Sequence, residues 1–129
     1  MSTELRMLAW TAGLTLVFWL PYILARMMNH GLVPTVTYAA DAKPLPGWAE
    51  RAKRAHYNAV ENLAPFAAVV LVAQLAQATN ASTAAAAIVY FWARVVHYLG
   101  QISGLPFVRT IAFGVGWAAT MVIFLVIVT

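Results

Sequence analysis

Polar side chains in one stretch of the chain share a helix face. The stretch Glu50–Phe66 reads ERAKRAHYNAVENLAPF, and its members at spacings of 3, 4, 3 and 4 are Arg51, Arg54, Asn58, Glu61 and Pro65. Because helical residues three or four positions apart lie on one face, this pattern predicts a polar stripe. A guanidinium fork suits carboxylates, whereas a carboxylate and an amide hold ammonium and peptide groups. The stripe therefore indicates a site for a zwitterionic, carboxylate-rich small molecule.

A second polar stripe follows later in the chain. Its members, at spacings of 4, 3 and 4, are Tyr90, Arg94, His97 and Gln101. An ionised group that faces lipid costs about 2.5 kcal/mol or more, so the two stripes must face each other, another subunit or water. We expect one polar cavity that ends near Pro65.

Simpler structural roles are the alternative for some of these residues. Arg51 and Lys53 are expected to anchor at the membrane interface by snorkelling. Glu61 and Arg94 are alternatively an ion pair that only holds two helices together. The whole set of polar residues exceeds what such a structural pair requires, and this favours a binding site.

Composition places these stripes in a membrane protein. Hydrophobic residues make up 63% and charged residues 9% of the 129-residue chain, whereas soluble domains have about 45–50% and 25%. The net charge of +4 fits membrane topology and contact with anionic lipids, and no basic and aromatic pattern indicates a nucleic-acid partner. Cysteine is absent, so any thiol chemistry needs a small-molecule thiol. No metal site is predicted, because the histidines lie on different helices or faces: His30, His56 and His97.

Apolar segments and breaks predict an all-α, four-helix membrane bundle in a single domain, residues 1–129. The helices are expected at about 5–28, 49–78, 82–101 and 107–128. The first is roughly 36 Å long, enough to cross a bilayer core of about 30 Å. A cleavable signal peptide is the competing interpretation of this first segment, from a weak cleavage pattern at Ala40-Asp41-Ala42.

The uneven distribution of Lys and Arg residues predicts the orientation of the protein in the membrane. An even number of spans puts both termini on one side, where Arg6 is the only Lys or Arg residue near a helix end. The opposite side collects Arg26, Lys43, Arg51, Lys53, Arg54 and Arg109. The positive-inside rule therefore puts both termini on the non-cytosolic side and opens the polar cavity to the cytosol. We expect a bacterial inner-membrane protein.

Two segments resemble a known family. The second-helix sequence RAHYNAVENLAPF, Arg54–Phe66, is similar to the signature of the MAPEG family, membrane-associated proteins in eicosanoid and glutathione metabolism. The sequence RVVH at Arg94–His97, followed twelve residues later by Arg109, resembles the family's third helix and the start of its fourth. The resemblance covers essentially the whole chain. The family includes microsomal glutathione transferases, leukotriene C synthase and microsomal prostaglandin E synthase.

The resemblance implies a homotrimer that binds glutathione between subunits near the cytosolic face. Arg109 is similar to the arginine that stabilises the glutathione thiolate, and a first-helix arginine that meets a glutathione carboxylate is matched by Arg26. The glutathione contacts of the second and third helices are matched by Arg54, Asn58, Glu61, Arg94 and His97. A lipophilic electrophile is then expected to reach the sulfur from the bilayer.

The chain departs from the family pattern at two positions. Gln101 stands where the eicosanoid enzymes carry a tyrosine, unless a shifted alignment makes Tyr98 the counterpart. Tyr57 stands where some members carry arginine. The expected function is a glutathione transferase or peroxidase, with conjugation, peroxide reduction and isomerisation left open.

Two other classes of function compete with that expectation. Small multidrug exporters are also four-helix proteins built around one intramembrane glutamate, here Glu61. Proton-coupled drug efflux abolished by Glu61→Gln is the result that identifies an exporter. A non-catalytic family member that acts as a membrane scaffold is the other alternative, identified by the absence of glutathione binding.

Overall fold

The computed structural model describes residues 1–37 and 44–129 as an arrangement of helices without strands. The helices are α1 (Thr3–Val17), α2 (Leu20–His30), α3 (Leu32–Val36), α4 (Gly47–Leu75), α5 (Ala81–Ile102) and α6 (Pro106–Val128). The prediction of an all-α fold is therefore confirmed for this part of the chain. Lys43 and the Ala40-Asp41-Ala42 pattern lie outside the described residues.

The first predicted helix, 5–28, is two helices in the structure. A proline lacks a backbone N–H, and its ring collides with the carbonyl group four residues earlier. For Pro21 that carbonyl belongs to Val17, the last residue of α1. Phe18 and Trp19 form a turn, and α2 resumes at Leu20. The single first helix predicted from the sequence is therefore interrupted beside Pro21.

Three helical segments are long and apolar enough to cross a membrane. By length and composition they are Thr3–His30, which combines α1 and α2, Gly47–Leu75 and Pro106–Val128. The remaining long helix, α5, has 22 residues and carries Arg94, His97 and Gln101, which lower its hydropathy. The sequence-based prediction of membrane-spanning helices is thus supported for α1–α2, α4 and α6.

Helix α5 is the centre of the packing, because it contacts α1, α4 and α6. Phe66 of α4 stacks on Tyr90 of α5 with ring centroids 3.8 Å apart and planes 10° apart. Alanines on three helices, Ala73, Ala87 and Ala119, are buried in the same cluster. Small side chains let the helix backbones approach closely, as in other membrane bundles.

The N-terminus is attached to the turn between α4 and α5. The Ser2 hydroxyl accepts from the Leu5 N–H at 3.2 Å and donates to Gln74 Oε1 at 2.7 Å. The Thr83 hydroxyl donates to the buried Glu4 carboxylate at 2.5 Å. These bonds connect α1 to α4 and α5 and so determine the relative positions of the helices.

Helix α4 ends at Leu75, three residues before the predicted end at 78. The Ala78 N–H donates to the Ala73 carbonyl at 2.9 Å, and the Gln77 N–H donates to the Gln74 carbonyl at 3.2 Å. This pair of bonds is a Schellman motif, which needs a left-handed residue that is usually glycine. Gln77 takes that conformation, with φ 55°, at a steric cost of about 1 kcal/mol.

Gln77→Gly is therefore expected to raise the free energy of unfolding by about 1 kcal/mol. The side chain of Gln77 is exposed, so the substitution removes strain without removing a buried contact. Denaturation in mixed micelles, followed by helical circular dichroism, measures the change. Ala76→Gly, one residue earlier in a right-handed conformation, is the matched control and should lower stability. An equal response of both variants would contradict strain at Gln77.

Candidate functional site

The two polar stripes meet at one cavity of about 370 Å³, which we call the polar groove. It lies between α4, α5 and α6. Its lining residues are Arg54, Tyr57, Asn58, Glu61, His97, Gln101, Arg109, Thr110 and Phe113. One helix face of α4 and the C-terminal half of α5 therefore face the start of α6 across a shared space.

The polar groove is open on the surface of the protomer. The charged side chains that line it, Arg54, Glu61 and Arg109, are all exposed. On the other face of α4, Ala52, Ala55 and Ala59 are buried against the bundle. The 3.6-residue period of α4 thus separates an apolar packing face from a charged face.

Arg94 lies outside the polar groove and contacts two of the residues that line it. Its Nη2 donates to Asn58 Oδ1 at 2.6 Å and lies 3.5 Å from His97 Nδ1. Arg94 and His97 are 3% and 2% exposed, so these bonds are shielded from solvent. In the described part of the chain Arg94 donates to Asn58 and forms no ion pair with Glu61. The alternative of a purely structural Glu61–Arg94 pair is therefore wrong for this protomer.

A tight turn brings Arg109 beside α4. The Leu105 N–H donates to the Gly100 carbonyl at 2.9 Å, and Gly104 has φ 74°, the left-handed position of a Schellman motif. Arg51 of α4 donates from Nε to the Ile102 carbonyl at 2.9 Å. Arg51, expected as an interface anchor, thus attaches α4 to the turn and positions the first residues of α6.

Three predicted contact residues do not line the polar groove. Tyr98 is buried at 8% exposure, stacks on Phe18 at a centroid distance of 3.8 Å, and donates its hydroxyl to the Phe18 carbonyl at 3.1 Å. Because Tyr98 follows His97 by one residue, its side chain points about 100° around the helix from that of His97, toward α1. Arg26 lies on α2, which packs on α4. Arg94 lies behind Asn58 and lines a different cavity.

The sequence analysis missed two lining residues of α6, Thr110 and Phe113. A signal was available for one of them, because Phe113 lies four residues after Arg109 and so one turn along the same face. Thr110 directly follows Arg109 in the sequence and belongs to no spacing pattern that would predict a lining residue. Tyr57 and Gln101, noted as departures from the family pattern, both line the groove.

The groove combines groups whose chemistry suits a charged, peptide-like molecule. Arg54 and Arg109 provide guanidinium groups for anions, and Glu61 provides a carboxylate for a cation. Asn58 and Gln101 provide amides for peptide groups. Two cations against one carboxylate leave a positive excess, which favours an anionic ligand or an anionic form of a titratable one.

Comparison with known proteins identifies the family of the chain. The MAPEG family profile matches residues 6–129. Searches of curated proteins and of solved structures find no match. The family match covers nearly the whole chain and includes every residue that lines the polar groove, and the protein therefore belongs to the MAPEG family.

Proposed function

We propose that this protein is a membrane-embedded, glutathione-dependent transferase or peroxidase. It activates the glutathione thiol toward lipophilic electrophiles. One observation carries the proposal: Arg54, Arg109 and Glu61 converge on one groove of an otherwise apolar helical protein. The MAPEG family includes glutathione transferases, and this is the ligand chemistry that such a groove suits.

The residues of the groove fit glutathione. Glutathione carries carboxylates at both ends, an ammonium group, peptide groups and a thiol. Arg54 suits a carboxylate, Glu61 the ammonium group, and Asn58 and Gln101 the peptide groups. The volume of about 370 Å³ is near the lower end of small-molecule sites, roughly 300–1,000 Å³.

The exposure of the charged side chains in the groove supports an oligomer in which a neighbouring copy covers them. Arg54, Glu61 and Arg109 are exposed in the single chain, and ionised groups facing lipid cost about 2.5 kcal/mol or more each. A neighbouring copy that covers the groove removes this cost and encloses the ligand. We propose a homotrimer of four-span protomers, with α5 as the additional span and a bacterial inner membrane as its location. Both termini are non-cytosolic and the groove faces the cytosol.

The mechanism assigns a role to each group. Bound glutathione supplies the thiol whose ionised form is the nucleophile. Arg109 places a positive charge in the groove, and such a charge favours a thiolate over a thiol. Arg54 holds a carboxylate and so fixes the position of the peptide. Arg94 keeps the Asn58 amide oriented through their bond of 2.6 Å.

A calorimetric glutathione titration in detergent or lipid discs tests the proposal. We expect binding by the native protein and binding about tenfold weaker by Arg54→Ala, since a charge-assisted contact is worth about 1.5 kcal/mol or more. Arg6→Ala is the matched control, because Arg6 is exposed in α1 outside the groove. Its titration should equal that of the native protein.

Other outcomes identify the competing functions. No glutathione binding by the native protein would favour a membrane scaffold. Equal binding by native protein and Arg54→Ala would put the ligand outside the polar groove. An exporter of cationic drugs is disfavoured, because Arg54 and Arg109 line the groove beside Glu61 and repel cations.

A further inference from the structure

A smaller cavity of about 200 Å³, which we call the arginine pocket, lies between the first turns of α4 and the turn that joins α5 to α6. Its lining residues are Arg51, Arg54, Gly100, Gln101, Gly104, Leu105, Pro106 and Arg109. Three of these residues are arginines and none is acidic. Arg54, Gln101 and Arg109 also line the polar groove, so the two spaces are neighbours that share a wall.

Arg51 is held in the wall of the arginine pocket. Its Nε donates to the Ile102 carbonyl at 2.9 Å, and two glycines leave room for the guanidinium. A Cβ added at Gly104 would lie 3.5 Å from Arg51 Nε, and one at Gly47 would lie 3.2 Å from Arg51 Nη1. The bond to Ile102 uses one of the five N–H donors of an arginine. The donors on Nη1 and Nη2 therefore remain for a ligand.

The positive charge of the arginine pocket has no acidic partner in the described part of the chain. Within residues 1–37 and 44–129, Arg54 and Arg109 form no ion pair. Like charges that line one small space repel each other. An anion among the three guanidiniums removes this repulsion and accepts charge-assisted hydrogen bonds from them. The pocket therefore favours an anionic ligand.

The arginine pocket lies at the ends of two apolar spans. Gly47–Leu75 and Pro106–Val128 both begin beside it, which places it at the level where a bilayer core gives way to headgroups. Trp48, at the start of the first of these spans, is 43% exposed, as is typical of an aromatic residue at a membrane interface. Leu105, on the rim of the pocket, is an exposed apolar side chain. This rim suits the glycerol and acyl part of a lipid.

Phosphate is the anion that a membrane presents at this level. A guanidinium fork matches phosphate oxygens and forms paired hydrogen bonds with them. We infer that the arginine pocket binds a phosphate group, whose oxygens accept from Arg51, Arg54 and Arg109. An anionic phospholipid and free phosphate both supply this group, and the experiment below distinguishes these two sources.

Phosphate in the arginine pocket is expected to weaken ligand binding in the polar groove, because Arg54 and Arg109 line both spaces. A guanidinium that is bonded to phosphate is less available to a carboxylate or a thiolate. An anionic phospholipid should therefore raise the dissociation constant of glutathione about fivefold or more, and glutathione should weaken phosphate binding by the same factor. This coupling rests on the proposed function, whereas the phosphate site does not.

The test measures binding of dioctanoyl phosphatidylglycerol to the native protein in maltoside micelles by phosphorus NMR. Dioctanoyl phosphatidylcholine is the reference, because its phosphate is accompanied by a quaternary ammonium group that arginines repel. We expect one phosphatidylglycerol per protomer, bound about tenfold more tightly than phosphatidylcholine. Displacement of the lipid by inorganic phosphate would show that the site also takes phosphate from solution. Binding without such displacement would assign the phosphate to the lipid.

Replacing Leu105 with aspartate gives the arginine pocket a carboxylate of its own and removes no arginine. Leu105 is the N-cap residue of α6, where aspartate and asparagine are both favoured, so the fold should be kept. Leu105→Asp should weaken phosphatidylglycerol binding about tenfold or more, whereas Leu105→Asn should bind as native. Leu32→Asp adds the same charge at an exposed position of α3 outside the pocket, and it should also bind as native.

Each other outcome bears on one part of the inference. Equal binding of the two lipids, or full phosphatidylglycerol binding by Leu105→Asp, would overturn the phosphate site. An equal loss in Leu105→Asp and Leu32→Asp would assign the attraction to overall charge and overturn it as well. Unchanged glutathione affinity in the presence of phosphatidylglycerol would overturn the coupling. Phosphatidylglycerol binding by a native protein that binds no glutathione would refute the proposed function and leave the phosphate site standing.

Discussion

Replacing Arg109 with glutamine is expected to lower the glutathione-dependent rate at neutral pH by about 10- to 30-fold. A free thiol with pKa about 8.5 is only a few per cent ionised at pH 7. A nearby guanidinium lowers such a pKa by about 1–3 units, and a shift of about 2 units or more makes the thiolate the main form at pH 7. Conjugation rates with a soluble electrophile and the ultraviolet absorbance of bound thiolate measure the change.

The pH dependence of the rate distinguishes a loss of thiol activation from a loss of the folded structure. A group whose pKa is lowered stays ionised down to that lower pH, so the native rate should be flat near neutrality. The Arg109→Gln rate should instead rise with pH up to about 8.5, the ordinary thiol pKa. Arg109→Lys keeps a positive charge and should retain part of the rate, and Arg6→Gln should behave as native. A native-like thiolate signal in Arg109→Gln at pH 7 would assign activation to another residue.

Asn58→Leu is expected to destabilise the protein by about 3 kcal/mol. The Arg94 guanidinium donates to Asn58 Oδ1 at 2.6 Å and is 3% exposed. Removing this acceptor leaves a buried guanidinium without its shortest described bond, and an unsatisfied buried group costs about 1–3 kcal/mol, or more when it is charged. Unfolding in mixed micelles, with glutathione binding as a second readout, checks the effect.

Asn58→Asp separates the structural role of Asn58 from its role in binding. An aspartate still accepts from Arg94, so stability should remain near that of the native protein. Glutathione binding should weaken nonetheless, because the new carboxylate lies one turn from Glu61 and repels the carboxylates of the ligand. Native stability in Asn58→Leu would show that Arg94 finds another acceptor.

Helical periodicity made the α4 half of the site predictable. Arg54, Asn58 and Glu61 share a face because they belong to one helix, and a single helix has a known geometry. Lining residues that belong to other helices were harder to predict from the sequence. Thr110 enters the groove because the turn at Gly104 folds α6 back along α5, and a tertiary approach of this kind leaves no periodic signal.

The polar stripe on α5 shows what helical spacing alone could not predict. Tyr90, Arg94, His97 and Gln101 follow one spacing, yet His97 and Gln101 line the polar groove whereas Tyr90 and Arg94 line a second cavity between α4, α5 and α6. The bond from Arg94 to Asn58 joins α5 to α4 between these two spaces. Spacing along one helix indicates a shared face, but side chains from the opposing helices decide how that face is divided.

The sequence by itself determined the helical class, the apolar spans, the charged face of α4 and, through its motifs, the family. These depend on composition and on contacts within one helix, which the chain order contains directly. Only the tertiary structure decided that Tyr98 packs on Phe18 and that Arg94 stands between two cavities. Those outcomes depend on which helices meet, because long-range packing determines the partner of each buried polar group.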